Sequence, residues 1–101
     1  MDIERVAGSP ALRVVGEVDM SNADELRTAL AAEVDEAGTA ILDLSRCTYL
    51  GSEGLRVLID AWNRTPDDGR IVLRAPTRLV RRVLETAGLG RFPKVEIEET
   101  P

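Results

Sequence analysis

The residue with the clearest chemical potential in this chain is Ser52, which lies between an apolar strand and an amphipathic helix. The run at residues 41–44 predicts a strand that is covered on both faces. Apolar residues then recur at the spacing of a helix, at Leu55, Leu58, Ile59 and Trp62. Because a helix start exposes unpaired N–H groups and a partial positive charge, a hydroxyl there can cap the helix or accept a phosphoryl group. Capping is the commoner role for an isolated serine.

A serine at a strand-to-helix turn also suggests the nucleophile of a hydrolase, but the neighbouring residues exclude that chemistry. The hydrolase motif is G-x-S-x-G, and Leu50 occupies the position of its first glycine. The chain contains no histidine, which excludes a Ser-His-Asp triad and a histidine metal site. Neither a P-loop nor a glycine-rich dinucleotide fingerprint is present. We therefore expect a binding module, not an enzyme, with no cofactor of its own.

Length and charge narrow the class of partner. The chain has 101 residues, which suits one domain, residues 1–101, built around a single core. Its net charge of −5 argues against nonspecific binding to nucleic acid, because phosphate backbones attract clustered Lys and Arg. No apolar run approaches the roughly 20 residues of a membrane span, and the N-terminus lacks the pattern of a signal peptide. We expect a cytoplasmic monomer or weak dimer with a protein partner.

Two residues with reactive side chains fall in segments that should pack inward. Cys47 is the one cysteine of the chain, so it cannot form an internal disulfide, and we interpret it as a small buried hydrophobe. Asp43 lies inside the apolar run that precedes it, where a carboxylate without partners is costly. We expect Asp43 to find hydrogen-bond donors and to have a structural role.

The remaining elements alternate between strands and helices. Residues 3–6 and 12–15 predict a β-hairpin, and a helix should start near Asn22, where Ser21 and Asp24 have the spacing of a capping box. Gly38 is placed to end this helix, before a buried strand at residues 40–44. A second short buried strand is predicted at residues 71–73. The last helix is indicated by an apolar stripe and ends near Gly88; the stripe consists of Val80, Val83, Leu84 and Ala87. Val95 and Ile97 alternate with acidic residues and predict a short edge strand.

This alternation predicts an α/β fold with a mixed, mostly parallel sheet of four to five strands, flanked by helices. The hairpin adds an antiparallel pair. In such sheets the loops after parallel strands gather at one edge, where binding sites usually lie, and Ser52 is in such a loop. Asp19 can share that edge or can be a turn and helix-entry residue, and we weigh the two alternatives about evenly.

Four segments together resemble a known family: GEVD at residues 16–19, ILDLS at 41–45, YLGSEGL at 49–55 and APTRLVRRVLETAGLGRF at 75–92. They are similar to a STAS domain of the bacterial anti-sigma-factor antagonist type. The resemblance spans nearly the whole chain. It implies a STAS-like fold in which the turn ending at Asp19 lies close to Ser52.

The resemblance also implies a function. In this family a serine in a pattern close to Asp-Ser-Ser/Thr-Gly-Leu is phosphorylated by the partner, an anti-sigma factor that is itself a serine kinase, and Ser52 is the matching residue here. Phosphorylation ends binding, whereas the unmodified antagonist frees the sigma factor for transcription. The partner-binding residues so implied are Asp19, Gly51, Ser52, Glu53 and Gly54. ATP and Mg²⁺ would belong to the kinase.

Two positions depart from the family pattern and keep a second function open. Gly51 stands where an Asp is usual, and Glu53 where a Ser, Thr or small residue is usual. The alternative is a STAS scaffold subunit of a transporter or multiprotein sensor complex that is not phosphorylated. The arginines at 78, 81 and 82 form either a docking patch or a solvated helix face, and the pattern favours the solvated face.

Overall fold

The computed structural model describes residues 1–99. Strands and helices alternate along the chain after an initial hairpin. In chain order they are β1 (Asp2–Arg5), β2 (Leu12–Val18), α1 (Ala23–Ala37), β3 (Thr39–Leu50), α2 (Ser52–Arg64), β4 (Arg70–Arg74), α3 (Arg78–Thr86), a 3-10 turn (Leu89–Arg91) and β5 (Val95–Glu98). Among these residues, no helix has the length and apolar character that a membrane crossing requires.

The five strands form one sheet in the order β1-β2-β3-β4-β5. The pair β1–β2 is antiparallel, and the other three pairs are parallel. This confirms the predicted mixed, mostly parallel sheet and the hairpin that opens it. It also confirms β5 as an edge strand, with its acidic side chains paired across to β4: Glu96 contacts Arg70, and Glu98 contacts Arg74.

The central strand β3 is much longer than the predicted strand at residues 40–44. It continues to Leu50 because β2 pairs with its second half as well, through two shifts in register. Cys47 in this extension is fully buried, as expected, and burial raises the pKa of its thiol. The extension carries the chain to the point where α2 begins.

Asp43 satisfies the expectation that a buried carboxylate finds donors. Ser45 donates to it twice, from its hydroxyl at 2.6 Å and from its N–H at 2.9 Å, and Arg13 lies at 3.2 Å. Burial acts to raise the pKa of the Asp43 carboxyl, but the hydrogen bonds from Ser45 and Arg13 outweigh it and leave this pKa below its ordinary value. Asp43 therefore ties β3 to β2 and has no free oxygen to offer a ligand.

The helix α1 starts next to Asn22 and ends before Gly38, as predicted, but its start is not capped in the predicted way. Asn22 is the N-cap residue, but its side chain does not bond the first turn, and the hydroxyl of Ser21 donates to Asp19 instead. The predicted capping box is therefore wrong, because Asp19 competes successfully for that hydroxyl. Gly38 ends the helix in the left-handed conformation, with φ of 70°, as predicted.

The helix α3 begins with a cap that the apolar pattern did not reveal. Thr77 accepts a hydrogen bond from the N–H of Val80, and its hydroxyl donates to the carbonyl of Cys47 at 3.1 Å, which fixes the helix start on β3. Of the predicted stripe, Val80 and Leu84 are buried and Val83 is half-buried, but Ala87 is exposed. It is exposed because the helix has already ended at Thr86.

The buried face of α2 is rotated relative to the predicted stripe. Its buried residues are Gly54, Val57, Leu58 and Ala61. Leu58 belongs to both sets, whereas Leu55, Ile59 and Trp62 are only half-buried. Trp62 contacts the segment before β5 instead: its indole N–H donates to the carbonyl of Pro93, and its ring packs edge-on against Phe92. The half-buried residues thus flank the core rather than fill it.

Replacing Leu58, which is 2% exposed, with alanine should lower the free energy of unfolding by about 2–5 kcal/mol. The lost methyl groups leave a cavity that the packed sheet cannot close. The matched variant Ile59→Ala, on the half-buried face, should lower the free energy of unfolding by clearly less. Urea unfolding of both variants measures the difference, and a larger loss for Ile59→Ala would contradict the observed helix face.

Candidate functional site

The strands β2 and β3 end together, and their ends create the candidate site. Val18 and Leu50 are paired across the two strands, so Asp19 and Gly51 follow at the same edge of the sheet. The N–H of Gly51 donates to the carbonyl of Val18 at 3.1 Å, which joins the two turns directly. The structure thus brings Asp19 and the segment around Ser52 together. Asp19 also has the helix-entry role, since its carbonyl accepts from Ala23.

Ser52 is the first residue of α2, and Gly51 holds the N-cap position. The capping interpretation of Ser52 is therefore wrong. The N–H of Leu55 reaches the carbonyl of Gly51 at 3.1 Å, so the N–H groups of residues 52–54 precede the first closed turn and have no helix carbonyl to bond. Ser52 is exposed, and its hydroxyl makes no hydrogen bond within the part of the chain described. It is free to react with a group brought from outside.

Gly54 explains why the first turn of α2 can lie so close to the sheet. A Cβ atom at this position would lie 2.4 Å from Cδ1 of Leu50 and 3.1 Å from Cγ1 of Val18. Both neighbours are buried, so neither side chain has free space to move into. Gly54 is itself buried and presents no side chain to the surface. Its contribution to the site is to position the helix on which Ser52 lies.

Gly51 is covered by an aromatic ring. A Cβ atom on Gly51 would lie 3.3 Å from Cε2 of Tyr49 and 3.6 Å from the carbonyl of Val18. Tyr49 is 45% exposed, and Met20, in the turn after Asp19, is 82% exposed. Tyr49 therefore presents apolar surface beside Gly51, and Met20 does so in the turn that follows Asp19. Neither residue was predicted from the sequence to belong to the site. Their positions in the chain, Tyr49 close to Gly51 and Met20 next to Asp19, could have indicated them.

Asp19 is held in a hydrogen-bonded turn. Its carboxylate accepts from the hydroxyl of Ser21 at 2.6 Å and from the N–H of Ser21 at 2.9 Å. These bonds from Ser21 hold the pKa of the Asp19 carboxyl below its ordinary value. The side chain of Asn22 accepts from the N–H of Asp19 and donates to the carbonyl of Glu17. The turn therefore presents a fixed, ionised carboxylate at the sheet edge.

An open groove of about 380 Å³ lies beside Ser52 on α2. Its lining residues are Ser52, Leu55, Arg56, Ile59 and Asp60. Arg56 is four residues after Ser52, so the two side chains are neighbours on one helix face. Sequence reasoning missed Arg56, although this spacing could have shown it. The groove offers a hydroxyl, apolar surface, one guanidinium and the carboxylate of Asp60, which is paired with Arg27.

Comparisons with known proteins agree with this architecture. Residues 1–97 match the family model described as Mlab, STAS domain. BtrV of Bordetella bronchiseptica, which bears the name of an anti-sigma factor antagonist, is 34% identical, and the match covers 98% of this chain and 88% of BtrV.

Solved structures give the same result. An anti-sigma factor antagonist from Mycobacterium paratuberculosis superposes with a TM-score of 0.77 at 27% identity, covering 93% of this chain and 81% of that one. The Bacillus protein SpoIIAA in its phosphorylated form shares the fold with a TM-score of 0.66 at 22% identity, covering 95% of this chain and 88% of that one.

The packing at Gly54 gives a direct test of how the site is positioned. Gly54→Ala should lower the free energy of unfolding by about 1–3 kcal/mol, because the added methyl group overpacks Leu50 and Val18. Gly90→Ala is the matched control, since its Cβ would meet only Ile97, at 3.4 Å, and should be close to neutral. Thermal or urea unfolding measures both. Equal stability of the two variants would contradict the close approach of α2.

Proposed function

Because this chain belongs to the STAS domain family and, within it, to the bacterial anti-sigma factor antagonists, we propose that it regulates transcription by binding an anti-sigma factor. The partner is a serine kinase that phosphorylates Ser52 and thereby ends the binding. The observation that carries this proposal is the exposed, unbonded hydroxyl of Ser52 at the open start of α2, beside Asp19. The protein acts in the cytoplasm and has no turnover of its own.

The docking surface in this proposal is the sheet edge around Ser52. Asp19 and Glu53 supply carboxylates, and Tyr49 and Met20 supply apolar contact area. Gly51, which has no side chain, lets the ring of Tyr49 lie close to the backbone at the start of α2. A rigid, mixed surface of this kind suits a protein interface, in which aromatic and methionine side chains at the centre are surrounded by polar groups.

The proposed reaction at Ser52 is phosphoryl transfer from ATP. The serine oxygen forms a bond to the γ-phosphorus as the bond from that phosphorus to the leaving ADP breaks, and the hydroxyl proton passes to a base of the kinase. The kinase holds ATP and Mg²⁺. The contribution of this chain is to present the hydroxyl without an internal hydrogen bond that would have to break first. SpoIIAA shows that the fold can hold a phosphoryl group.

Charge then explains how phosphorylation ends binding. The phosphoryl group adds about −1.5 to −2 charges beside Asp19 and Glu53 in a surface that loses water on docking. The helix dipole compensates roughly 0.3–1 kcal/mol, and an exposed pair with Arg56 adds at most about 1 kcal/mol. A mismatched charge at an interface costs several kcal/mol. Repulsion and desolvation are therefore the larger effects.

The scaffold function has one observation in its favour. Glu53 places a permanent carboxylate next to Ser52. If this charge already prevents phosphoryl transfer, the chain binds its partners without a switch, as a STAS subunit of a transporter or sensor complex. A pull-down that recovers only transporter components would favour the scaffold.

Substitutions at Ser52 test the switch. Ser52→Ala should abolish labelling by the kinase and Mg-ATP, yet keep affinity for the anti-sigma factor within about twofold, because surface changes away from caps cost about 0.5 kcal/mol or less. Ser52→Asp should weaken binding by roughly ten- to thousandfold, since it buries a charge at the interface. Titration calorimetry measures affinity, and phosphopeptide mapping locates the label.

Asn63→Asp is the matched control for Ser52→Asp. It adds the same charge to an exposed position at the other end of α2 and should leave affinity nearly unchanged. Unchanged affinity for Ser52→Asp, or phosphate mapped to Ser45 or Thr48, would overturn the switch.

Glu53→Ser distinguishes the switch from the scaffold. Removing a carboxylate next to the acceptor should speed labelling of Ser52, because the incoming γ-phosphate is no longer repelled. The initial rate of incorporation of radioactive phosphate measures the effect. Glu17→Ser, in the neighbouring strand β2, removes an equal charge and should change the rate much less. A protein that stays unlabelled after Glu53→Ser would favour the scaffold.

A further inference from the structure

A second groove lies between α2 and α3, and its lining combines apolar side chains with an arginine. It measures about 300 Å³ and is lined by Leu55, Leu79, Arg82, Val83, Thr86 and Ala87. Leu79 is 50% exposed, although it lies among the first residues of α3 and the core accepts its neighbour Val80 completely. An adjoining depression is lined by Arg78, Leu79 and Arg82. We call these two depressions together the α2–α3 groove.

The rim of the α2–α3 groove is positive, although the chain as a whole carries a net charge of −5. Arg78 and Arg82 are four residues apart, so they lie on one face of α3 on either side of Leu79. Neither forms an ion pair within residues 1–99, and no carboxylate lines the groove. Arg81, on another face of the same helix, is paired with Glu99. Of the three arginines expected on a solvated face, two therefore flank an exposed leucine.

The α2–α3 groove adjoins the groove beside Ser52, because the two share one lining residue. Leu55 lines both of them, and Arg56 follows it on the Ser52 side. Ser52 and Leu55 are three residues apart on α2, so a partner that covers Ser52 lies about one helical turn from a residue that also lines the α2–α3 groove. The apolar floor with two guanidinium groups at its edge matches the way in which an amphipathic segment lies in a hydrophobic groove.

We infer that the α2–α3 groove binds an acidic, amphipathic segment of the anti-sigma factor. Its apolar side chains pack on Leu55 and Leu79, and its carboxylates pair with Arg78 and Arg82. This inference rests on the proposed function and adds the partner's chemistry. A second copy of this chain fits poorly, because a face-to-face dimer would set arginines of the two copies against each other.

Charge reversal tests the groove against an equal change elsewhere. Arg82→Glu should weaken binding of the purified anti-sigma factor at least tenfold, with a steeper loss at low salt, where charge pairs are least screened. Arg91→Glu changes the net charge equally at an exposed position in a separate depression, and its affinity should stay within about twofold. Circular dichroism and thermal unfolding confirm that both variants are folded.

Site-specific cross-linking identifies the occupant. Because Cys47 is fully buried, Leu79→Cys can be labelled selectively with a photoactivatable maleimide, with Arg91→Cys as the control. The expected result is a cross-link from position 79, and not from position 91, to a segment of the anti-sigma factor with net negative charge. A cross-link to a neutral or basic segment, or equal yields from both positions, would overturn the inference.

The two proposals can fail separately. If Ser52→Asp weakens binding while Arg82→Glu and Arg91→Glu bind alike, the groove inference is overturned and the proposed function stands. If the unmodified protein binds no anti-sigma factor, both are overturned. Sedimentation equilibrium measures whether the protein forms a dimer. A dimer that dissociates when Arg82 is changed to Glu would show that a second copy occupies the groove, which also overturns the inference.

Discussion

The close approach of α2 to the ends of β2 and β3 is the contact on which the rest of the structure around the site depends. At Gly54 a single added carbon would lie 2.4 Å from Leu50, so any larger residue would force the helix or its neighbours to shift. Because the first turn is seated there, Leu58 reaches the core one turn later, and Ser52 remains exposed on the other side. Packing inside the domain thus fixes the position of an exposed hydroxyl on its surface.

The same contact arranges the charges of the surface. The paired ends of Val18 and Leu50 place a carboxylate, held ionised by its hydrogen bonds from Ser21, next to the start of α2. On α3, Arg78 and Arg82 flank the exposed Leu79 and form no ion pair within residues 1–99. A partner that covers both regions must therefore match charges of opposite sign. Such an arrangement favours specificity, because a wrong partner leaves at least one charge unpaired in a desolvated surface.

Sequence reasoning failed where two local solutions compete for one group. Ser21 and Asp24 have the spacing of a capping box, but the hydroxyl of Ser21 bonds Asp19, which lies close only because of the turn that precedes α1. The apolar stripe of α2 was rotated for a related reason. Leu55 and Ile59 are as apolar as Leu58, so their spacing could not show that the glycine face, with its closer approach, would be the buried one.

The sequence by itself determined the order of elements, the mostly parallel sheet, the buried Cys47 and Asp43, and the placement of Ser52 at the mouth of a helix. These features depend on local hydrophobic periodicity and on turn residues, both of which can be recognised from residues close together in the sequence. Only the tertiary structure decided that Gly51 rather than Ser52 caps α2, that Tyr49 covers Gly51, and that Leu55 and Leu79 share a groove. The shared groove joins segments distant in sequence, and the cap and the position of the Tyr49 ring are choices that the local sequence leaves open. All three are set by how closely the helices and the sheet can pack.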